Sequence, residues 1–181
     1  MIYTGVGSRS TPPAILQDMV TIGQRLAYKG WTLRSGRAQG ADQAFEHGCD
    51  MSQGKKEIYL PWSNFPGGPA HHDYPGSFLR AGILKLSPDD DAYNMAFDVL
   101  GFAHWGRLTF GGKSLHSRNM YQVLGLDLKA PSDMLICWAK PKGNDVDGGT
   151  NTAWKLGRLH TVRCFNLYHE QDYSHVMSML Y

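Results

Sequence analysis

Five short apolar segments alternate with longer amphipathic stretches, and this alternation constrains the fold more than any other feature of the sequence. The segments are residues 2–6, 31–35, 57–61, 134–139 and 162–167. Between the first two, apolar residues recur at helical spacing and the pattern ends at Gly30, a typical residue just after a helix. Strands that alternate with helices form a mostly parallel sheet covered on both faces. We therefore predict an α/β fold.

The length of the chain predicts one domain. A chain of 181 residues has the usual size of a single domain, which we place at residues 1–181. The segment at about 63–88 carries four prolines and interrupts the alternation, so we interpret it as an irregular insertion. The acidic triplet at 89–91 precedes a helical pattern over 92–103, and we interpret it as a helix start rather than a metal site.

Composition excludes several functional classes. The longest apolar run, at 134–139, is far shorter than the ~20 residues of a membrane helix, so we expect no membrane association. The N-terminus has no basic leader, and the three cysteines form no paired motif, so we expect a cytoplasmic protein. A net charge of +2, from 18 basic and 16 acidic residues, argues against a strong non-specific nucleic-acid binder.

A glycine loop, Gly5-Val6-Gly7-Ser8-Arg9, follows the first predicted strand. Glycine lets backbone N–H groups approach a phosphate, and Ser8 and Arg9 add a hydroxyl and a charge, so Gly7, Ser8 and Arg9 are predicted ligand-binding residues. A tight turn with no ligand would favour the same residues. The loop is not a dinucleotide fingerprint, because Ser10 occupies the place of the third glycine.

A second glycine loop follows the second predicted strand and should lie beside the first, since strands joined by a crossover are usually neighbours. Asp42, at its end, could accept a hydrogen bond from a ribose hydroxyl or could cap the next helix. The predicted ligand-binding residues of this loop are Ser35, Gly36, Arg37, Gly40 and Asp42.

Two later motifs complete the predicted site. We interpret Arg118-Asn119 as a helix start whose arginine can bind a phosphate, although a lone arginine there is often an ordinary surface residue. The residues Gly148, Gly149 and Thr150 follow the fourth strand and open a helix, where backbone amides bind anions. The alternative is that Thr150 is only the N-cap of that helix.

The order of these four motifs resembles the SLOG superfamily of Rossmann-like nucleotide-binding proteins. Within it, the chain is similar to the DNA-processing protein A branch, and especially to its small single-domain relatives in bacteriophages. The resemblance implies a Rossmann-like, mostly parallel sheet flanked by helices, with a phosphate-bearing ligand over the strand ends. It assigns the ligand to the residues named above in the four motifs. Arg37 stands where relatives usually carry glycine, and we expect it to add a cation to the cleft.

The sequence favours binding over catalysis. The phosphoribohydrolase branch of the superfamily resembles P-G-G-x-G-T-x-x-E, but Asp147 replaces its proline, and Ala153-Trp154 stand where its glutamate is expected. A nucleotide N-glycosidase is an alternative if Asp42, Glu46 or Glu57 serves as the acid. A DprA-like single-stranded DNA binder that assists recombination is another. It requires one basic face formed by Lys55, Lys56, Arg34, Arg37, Arg158 and Arg163.

We therefore predict a protein that binds a nucleotide or an ADP-ribose-type ligand, and senses or sequesters it, without a required cofactor. Single-stranded DNA is a second possible partner, and we expect a homo-oligomer. The histidines His71, His72, His104 and His116 lack metal-ligand spacing, so no metal site is predicted. Trp62, Trp105 and Trp154 could stack on a base or pack in the core.

Overall fold

The computed structural model describes residues 1–62, Phe65, 77–80 and 90–181. Its strands are β1 (Ile2–Gly5), β2 (Thr32–Ser35), β3 (Lys56–Tyr59), β4 (Ser77–Arg80), β5 (Met134–Cys137), β6 (Pro141–Lys142), β7 (Asp145–Val146) and β8 (Arg163–Asn166). Six of them form one sheet in the order β4-β3-β2-β1-β5-β8, and each neighbouring pair is parallel. Strands β6 and β7 form a separate antiparallel hairpin.

Helices cover both faces of the sheet. They are α1 (Pro13–Tyr28), α2 (Ala41–Met51), α3 (Asp91–Leu100), α4 (Phe102–Trp105), α5 (Phe110–Leu124), α6 (Thr150–Leu159) and α7 (Glu170–Ser178). Apolar residues of α1, α2 and α7 pack in one core, and those of α3, α5 and α6 pack in the other. The result is a three-layer Rossmann-like α/β domain, as the alternation of the sequence predicts.

Strand β5 lies at the centre of this arrangement, and all four of its residues are buried. Met134 and Ile136 belong to the core beneath α1 and α2, whereas Leu135 and Cys137 belong to the core beneath α5 and α6. A strand covered on both faces needs no polar alternation. The apolar run at 134–139 therefore predicts this strand correctly.

The order of the strands creates a crevice between β1 and β5. The chain adds β2, β3 and β4 on one side of β1, and then crosses to add β5 and β8 on the other side. In open α/β sheets, ligands bind at such a switch point, outside the carboxyl ends of the strands. The loops that follow β1, β2 and β5 meet at this edge, and three of the four predicted motifs lie on them.

Several predicted boundaries differ from the structure. The helix predicted over 92–103 divides at Gly101, where φ is +78°, into α3 and α4. Its predicted acidic start is confirmed at Asp90, whose side chain accepts a hydrogen bond from the N–H of Tyr93. Strand β4 and the β6–β7 hairpin were not predicted. Strand β4 falls within the predicted insertion at 63–88, most of which, including His71 and His72, lies outside the described residues.

No helix in the described ranges is both long enough and apolar enough to cross a membrane.

Candidate functional site

A cavity of about 340 Å³ opens at the crevice between β1 and β5. We call it the first cavity. Its walls are the loop after β1, the start of α2, one side of α5 and the turn before α6. It brings together nine of the predicted ligand-binding residues: Gly7, Ser8, Arg9, Asp42, Arg118, Asn119, Gly148, Gly149 and Thr150.

The remaining predicted residues, all in the second loop, do not line the first cavity. The hydroxyl of Ser35 donates a hydrogen bond of 2.7 Å to the carbonyl of Gly5 and so joins β2 to β1. Gly40 adopts a φ of +96° immediately before α2, a conformation that favours glycine. At Gly36 a Cβ atom would lie 2.6 Å from the guanidinium carbon of Arg118. These residues shape the loop rather than the wall of the cavity.

The expectation that Arg37 adds a cation to the cleft is corrected by the structure. Its guanidinium binds the carboxylate of Glu46 on α2 at 2.6 Å. Burial alone would raise the pKa of Glu46, but the hydrogen bond from Arg37 and the charge of Lys56 outweigh it, so this pKa is lowered. Lys56 also pairs with Asp50 at 2.6 Å. This cluster joins α2 to β3 and to the loop after β2, and its residues do not line the first cavity.

Arg118 is the buried cation of the first cavity, with 6 % of its surface exposed. One terminal nitrogen donates a hydrogen bond of 2.9 Å to the carbonyl of Gly36, and the other lies 4.0 Å from the carboxylate of Asp42. Its buried Nε has no hydrogen-bond partner in the described structure. The ring of Phe65 lies 5.5 Å from the guanidinium carbon. The charge of Arg118 is therefore only partly compensated by the protein.

Asp42 is the carboxylate that faces Arg118. Burial raises its pKa, and the opposing charge of Arg118 reduces that rise without cancelling it. Its Oδ2 accepts hydrogen bonds from the N–H of Ala38 at 3.3 Å and from the amide of Gln122 at 3.5 Å. The N-cap of α2 is Gly40, so Asp42 does not cap the helix. It stabilises the second loop, and binding of a ribose hydroxyl stays a prediction.

Helix α5 holds two glycine loops through consecutive residues. Arg118 binds the second loop at Gly36, and the amide of Asn119 donates a hydrogen bond of 3.0 Å to the carbonyl of Gly149. The predicted helix start at these residues is wrong, because α5 begins at Phe110 after its N-cap Thr109 and both residues lie in its middle. The central turns of a helix hold the two side chains more firmly than a frayed end would.

The turn at 148–150 presents a helix N-terminus to the first cavity. Gly148 has a φ of +73°, which favours glycine. Gly149 has a helical φ of −65°, and a Cβ atom there would meet nothing within 4 Å. Gly149 is the N-cap and no side chain caps α6, so the alternative that Thr150 is the cap is wrong. The first N–H groups of α6 are therefore free of a side-chain cap beside Arg118.

Hydrogen bonds and close packing hold the first loop in place. The N–H of Ser8 donates a hydrogen bond of 2.9 Å to the carbonyl of Trp138, and its hydroxyl lies 2.8 Å from that of Ser10. At Gly7, a Cβ atom would lie 2.6 Å from that of Ala41. Packing against α2 therefore explains this glycine, and the loop contributes a wall to the cavity.

Two residues of α5 that line the first cavity were missed as site residues. Gln122 is fully buried, and its Oε1 has no partner in the described ranges. His116 binds the hydroxyl of Thr152 through Nδ1 at 2.6 Å. Burial, and then the nearby His104 and Arg118, lower the pKa of His116 to about 4, so its ring is neutral near pH 7. Helical spacing could have identified Gln122, because it lies one turn beyond Arg118 on α5.

The other proposed acids and the basic face have structural roles. Glu57 accepts hydrogen bonds of 2.6 Å from Arg34 and from the hydroxyl of Tyr59, and neither Glu46 nor Glu57 lines the first cavity. Arg34 and Lys56 are buried, with 4 % and 2 % of their surfaces exposed. The six basic residues named for DNA binding therefore do not form one exposed face.

The tryptophans differ in their surroundings. Trp105 is buried and packs edge-on against Tyr93 and Phe97, so packing explains it. Trp154 packs against the core beneath α5 and α6. Trp62 is 39 % exposed and contacts Phe65, and its stacking on a base stays a prediction. Within the described ranges, no group of three or more His, Cys, Asp or Glu side chains could hold a metal ion.

Comparisons with solved structures support the fold. DNA processing protein A from Helicobacter pylori, studied for its single-stranded DNA binding mode, matches with a TM-score of 0.53 and 18 % identity over 91 % of this chain and 63 % of that chain. This chain thus spans less than two thirds of that protein. The Moco carrier protein of Chlamydomonas reinhardtii matches with a TM-score of 0.50 and 16 % identity over 99 % of this chain and 82 % of that chain.

These neighbours share a Rossmann-like fold with this chain, and at such low identity the likeness extends to the fold alone. No protein-family profile matches the sequence, and no curated protein matches it significantly. The predicted resemblance to the DNA-processing protein A branch is confirmed as a shared fold. The narrower resemblance to phage relatives stays a prediction.

Proposed function

We propose that the first cavity binds a phosphate-bearing nucleotide, with the phosphate between Arg118 and the N-terminus of α6. The observation that carries this proposal is the incomplete pairing of Arg118. Its nearest carboxylate is 4.0 Å away, and its Nε has no partner in the described structure. A buried cation is costly unless it is paired, and an anion in the cavity would supply the missing counter-charge.

The N-terminus of α6, which lines the same cavity, favours the same ligand group. A helix N-terminus carries a partial positive charge and unsatisfied N–H groups, and α6 has no side-chain cap. Arg9 adds a second cation to the cavity, and its charge acts on the pKa of Arg118 in the direction expected of a like charge. Planar guanidinium groups and helix N-termini both bind phosphate well.

The size and the other walls suit one nucleotide. A volume of about 340 Å³ is at the lower end of the range for small-molecule sites. Apolar surface comes from Val6, Ala38, Leu115 and Ala153, which can pack against a base or a sugar. The protein would then sense or sequester the nucleotide, acting in the cytoplasm and without a metal or other cofactor.

Binding without cleavage is favoured because the acids are poorly placed. Of the three acids named for an N-glycosidase, Asp42 alone lines the first cavity. Its raised pKa would suit an acid, so the N-glycosidase alternative depends on this residue. Chromatography of each nucleotide after incubation with the protein tests it, and release of free base that is abolished in Asp42→Asn would favour cleavage.

Titration calorimetry with AMP, ADP, ATP, GMP and CMP tests the binding proposal. At least one nucleotide should bind, and Arg118→Gln should weaken binding by about 1–3 kcal/mol, or about 5–150-fold. Arg163→Gln is a matched control, because Arg163 is exposed at the opposite end of the strands. Absence of binding to the wild type, or equal losses in the two variants, would overturn the proposal.

Single-stranded DNA is the second candidate, and it rests on the fold shared with DNA processing protein A. It is less well supported here, because Arg34 and Lys56 are buried in ion pairs. If DNA binds, its affinity should fall with salt at a log–log slope near −0.7 per phosphate contact. An oligonucleotide titration at low salt that detects no binding would exclude this function.

A further inference from the structure

A second cavity, of about 510 Å³, lies beside the first. The two share a wall formed by His116 and the turn at 147–149. The side chains that line the second cavity are mostly polar, with Val146 as its apolar residue: His104, His116, Lys142, Asp145, Asn151 and Lys155. The proposed phosphate position therefore has space on both sides.

The shared wall has no side chain at Gly148 and Gly149. A Cβ atom at Gly149 would meet nothing within 4 Å, and the same is true of Gly148. Neither the packing nor the helical φ of Gly149 requires glycine. Open space around the α-carbon of a residue that lines both cavities leaves a ligand room to extend from one cavity into the other.

His116 offers a polar atom at the junction. The residue is 9 % exposed, its Nδ1 is bound to Thr152, and its Nε2 has no partner in the part of the chain that the structure describes. Burial, with the charges of His104 and Arg118, lowers its pKa to about 4, so the ring is neutral near pH 7. A nitrogen of a neutral imidazole either donates or accepts a hydrogen bond, and a hydroxyl group can be its partner in both cases.

The charges of the second cavity are balanced, unlike those around Arg118. Lys155 lies 3.3 Å from the carboxylate of Asp145, and Lys142 lies 3.8 Å from that of Asp147. The buried Oδ1 of Asn151 has no partner in the described ranges. A balanced set of donors and acceptors suits several hydroxyl groups better than a second anion.

We propose that the second cavity is a subsite for a hydroxyl-rich sugar group attached to the far side of the ligand's phosphate. The ligand class is then a nucleotide whose terminal phosphate carries a sugar. Nε2 of His116 and the side chain of Asn151 bind sugar hydroxyls, and the phosphate stays between Arg118 and α6. This inference rests on the proposed function of the first cavity.

Calorimetry with ADP, ADP-ribose and ADP-glucose tests the subsite, because these probes share the nucleotide and differ in the sugar. At least one ADP-sugar should bind tenfold or more tightly than ADP. His116→Gln and Asn151→Leu should each remove most of this preference. Asn151 lines the second cavity and not the first, so Asn151→Leu should also leave the affinity for ADP within about twofold. The matched control is Asn144→Leu, since Asn144 is exposed and lines neither cavity.

The outcomes separate the two proposals. If ADP binds and neither ADP-sugar binds more tightly, the proposed function of the first cavity stands and the proposal for the second cavity is overturned. A preference that survives in both His116→Gln and Asn151→Leu also overturns it, because the sugar then lies elsewhere. No binding of any of the three probes, together with no binding of the other nucleotides, overturns the proposed function of the first cavity itself.

Discussion

Two buried arginines in this protein have opposite surroundings. Arg34 on β2 binds the carboxylate of Glu57 and the carbonyl of Ala130, both at 2.6 Å. Arg118 on α5 is as deeply buried, but the nearest carboxylate among the described residues, that of Asp42, is 4.0 Å away. A glycine makes room for each guanidinium, Gly125 for Arg34 and Gly36 for Arg118.

The two arginines differ in the hydrogen-bond partners of their guanidinium groups. The hydrogen bonds of Arg34 are made within the protein, so its role is to join β2, β3 and the loop before β5. Arg118 retains an unpartnered donor in the described structure and faces a cavity. Burial of a charge is therefore not by itself a sign of function, whereas burial with incomplete pairing beside a cavity is.

The largest effect is expected on stability. Arg34→Met breaks a close ion pair and should lower the free energy of unfolding by about 3 kcal/mol. Arg118→Met removes a charge that lies 4.0 Å from the carboxylate of Asp42, and should change the free energy of unfolding by about 1 kcal/mol or less. Urea unfolding of both variants measures the difference, and equal losses would contradict this interpretation.

His116 allows a pH test of the surroundings of Arg118. Burial, His104 and Arg118 lower its pKa from 6.5 to about 4, so the unfolded chain binds the proton more readily than the folded protein. Stability is therefore lost as the pH falls from about 6.5 towards 4, by up to about 3 kcal/mol.

The measurement is urea unfolding of the wild type and His116→Gln between pH 4 and pH 8. The variant lacks this group, so it should lose less stability on acidification than the wild type does. His47→Gln, at an exposed position on α2, controls for the removal of a histidine. If the stability of the wild type and of His116→Gln changed in parallel with pH, the lowered pKa of His116 in the folded protein would be refuted.

Arg118 and Thr150 should act on one phosphate from opposite walls. Each change to alanine should weaken nucleotide binding by about 1–3 kcal/mol, and the double variant should show a coupling of at least about 0.5 kcal/mol. Thr150 is not the N-cap, so Thr150→Ala should not carry the stability loss of about 1 kcal/mol that loss of a cap causes. Calorimetry measures nucleotide affinity, and thermal unfolding measures stability. If the losses of binding free energy in the two single variants simply add in the double variant, the two residues do not act on the same phosphate.

Much of the fold is predictable because strands and helices here follow simple periodic rules. The five strands of the main sheet other than β4 have clear signals in the sequence, and so do the glycine loops. Strand β4 and the two-residue strands β6 and β7 do not, because β4 lies inside the irregular segment and two residues are too few to show a periodic pattern. Gly101 divides a helix whose apolar pattern continues through it.

The site is only partly predictable, because a sequence motif does not reveal which side chains its residues contact. Arg37 and Arg118 are both arginines in predicted motifs. Glu46 neutralises the first, whereas among the described residues no carboxylate lies closer than 4.0 Å to the second. Gly7 and Gly149 are both motif glycines, but packing requires the first and nothing in the described protein requires the second. Three-dimensional contacts are needed to distinguish the two residues of each pair.

The smallest expected effect on stability is at Gly149. Its φ and ψ of −65° and −25° suit alanine, and a Cβ atom there would meet open space, so Gly149→Ala should change the free energy of unfolding by less than about 1 kcal/mol. Gly106→Ala is a matched control with a similar backbone conformation, away from both cavities. Nucleotide affinity should fall in Gly149→Ala and not in Gly106→Ala, because the added methyl occupies the space where the phosphate passes the helix N-terminus. Thermal unfolding and calorimetry on both variants test this, and unchanged affinity in Gly149→Ala would place the phosphate away from this turn and leave Arg118 without its proposed partner.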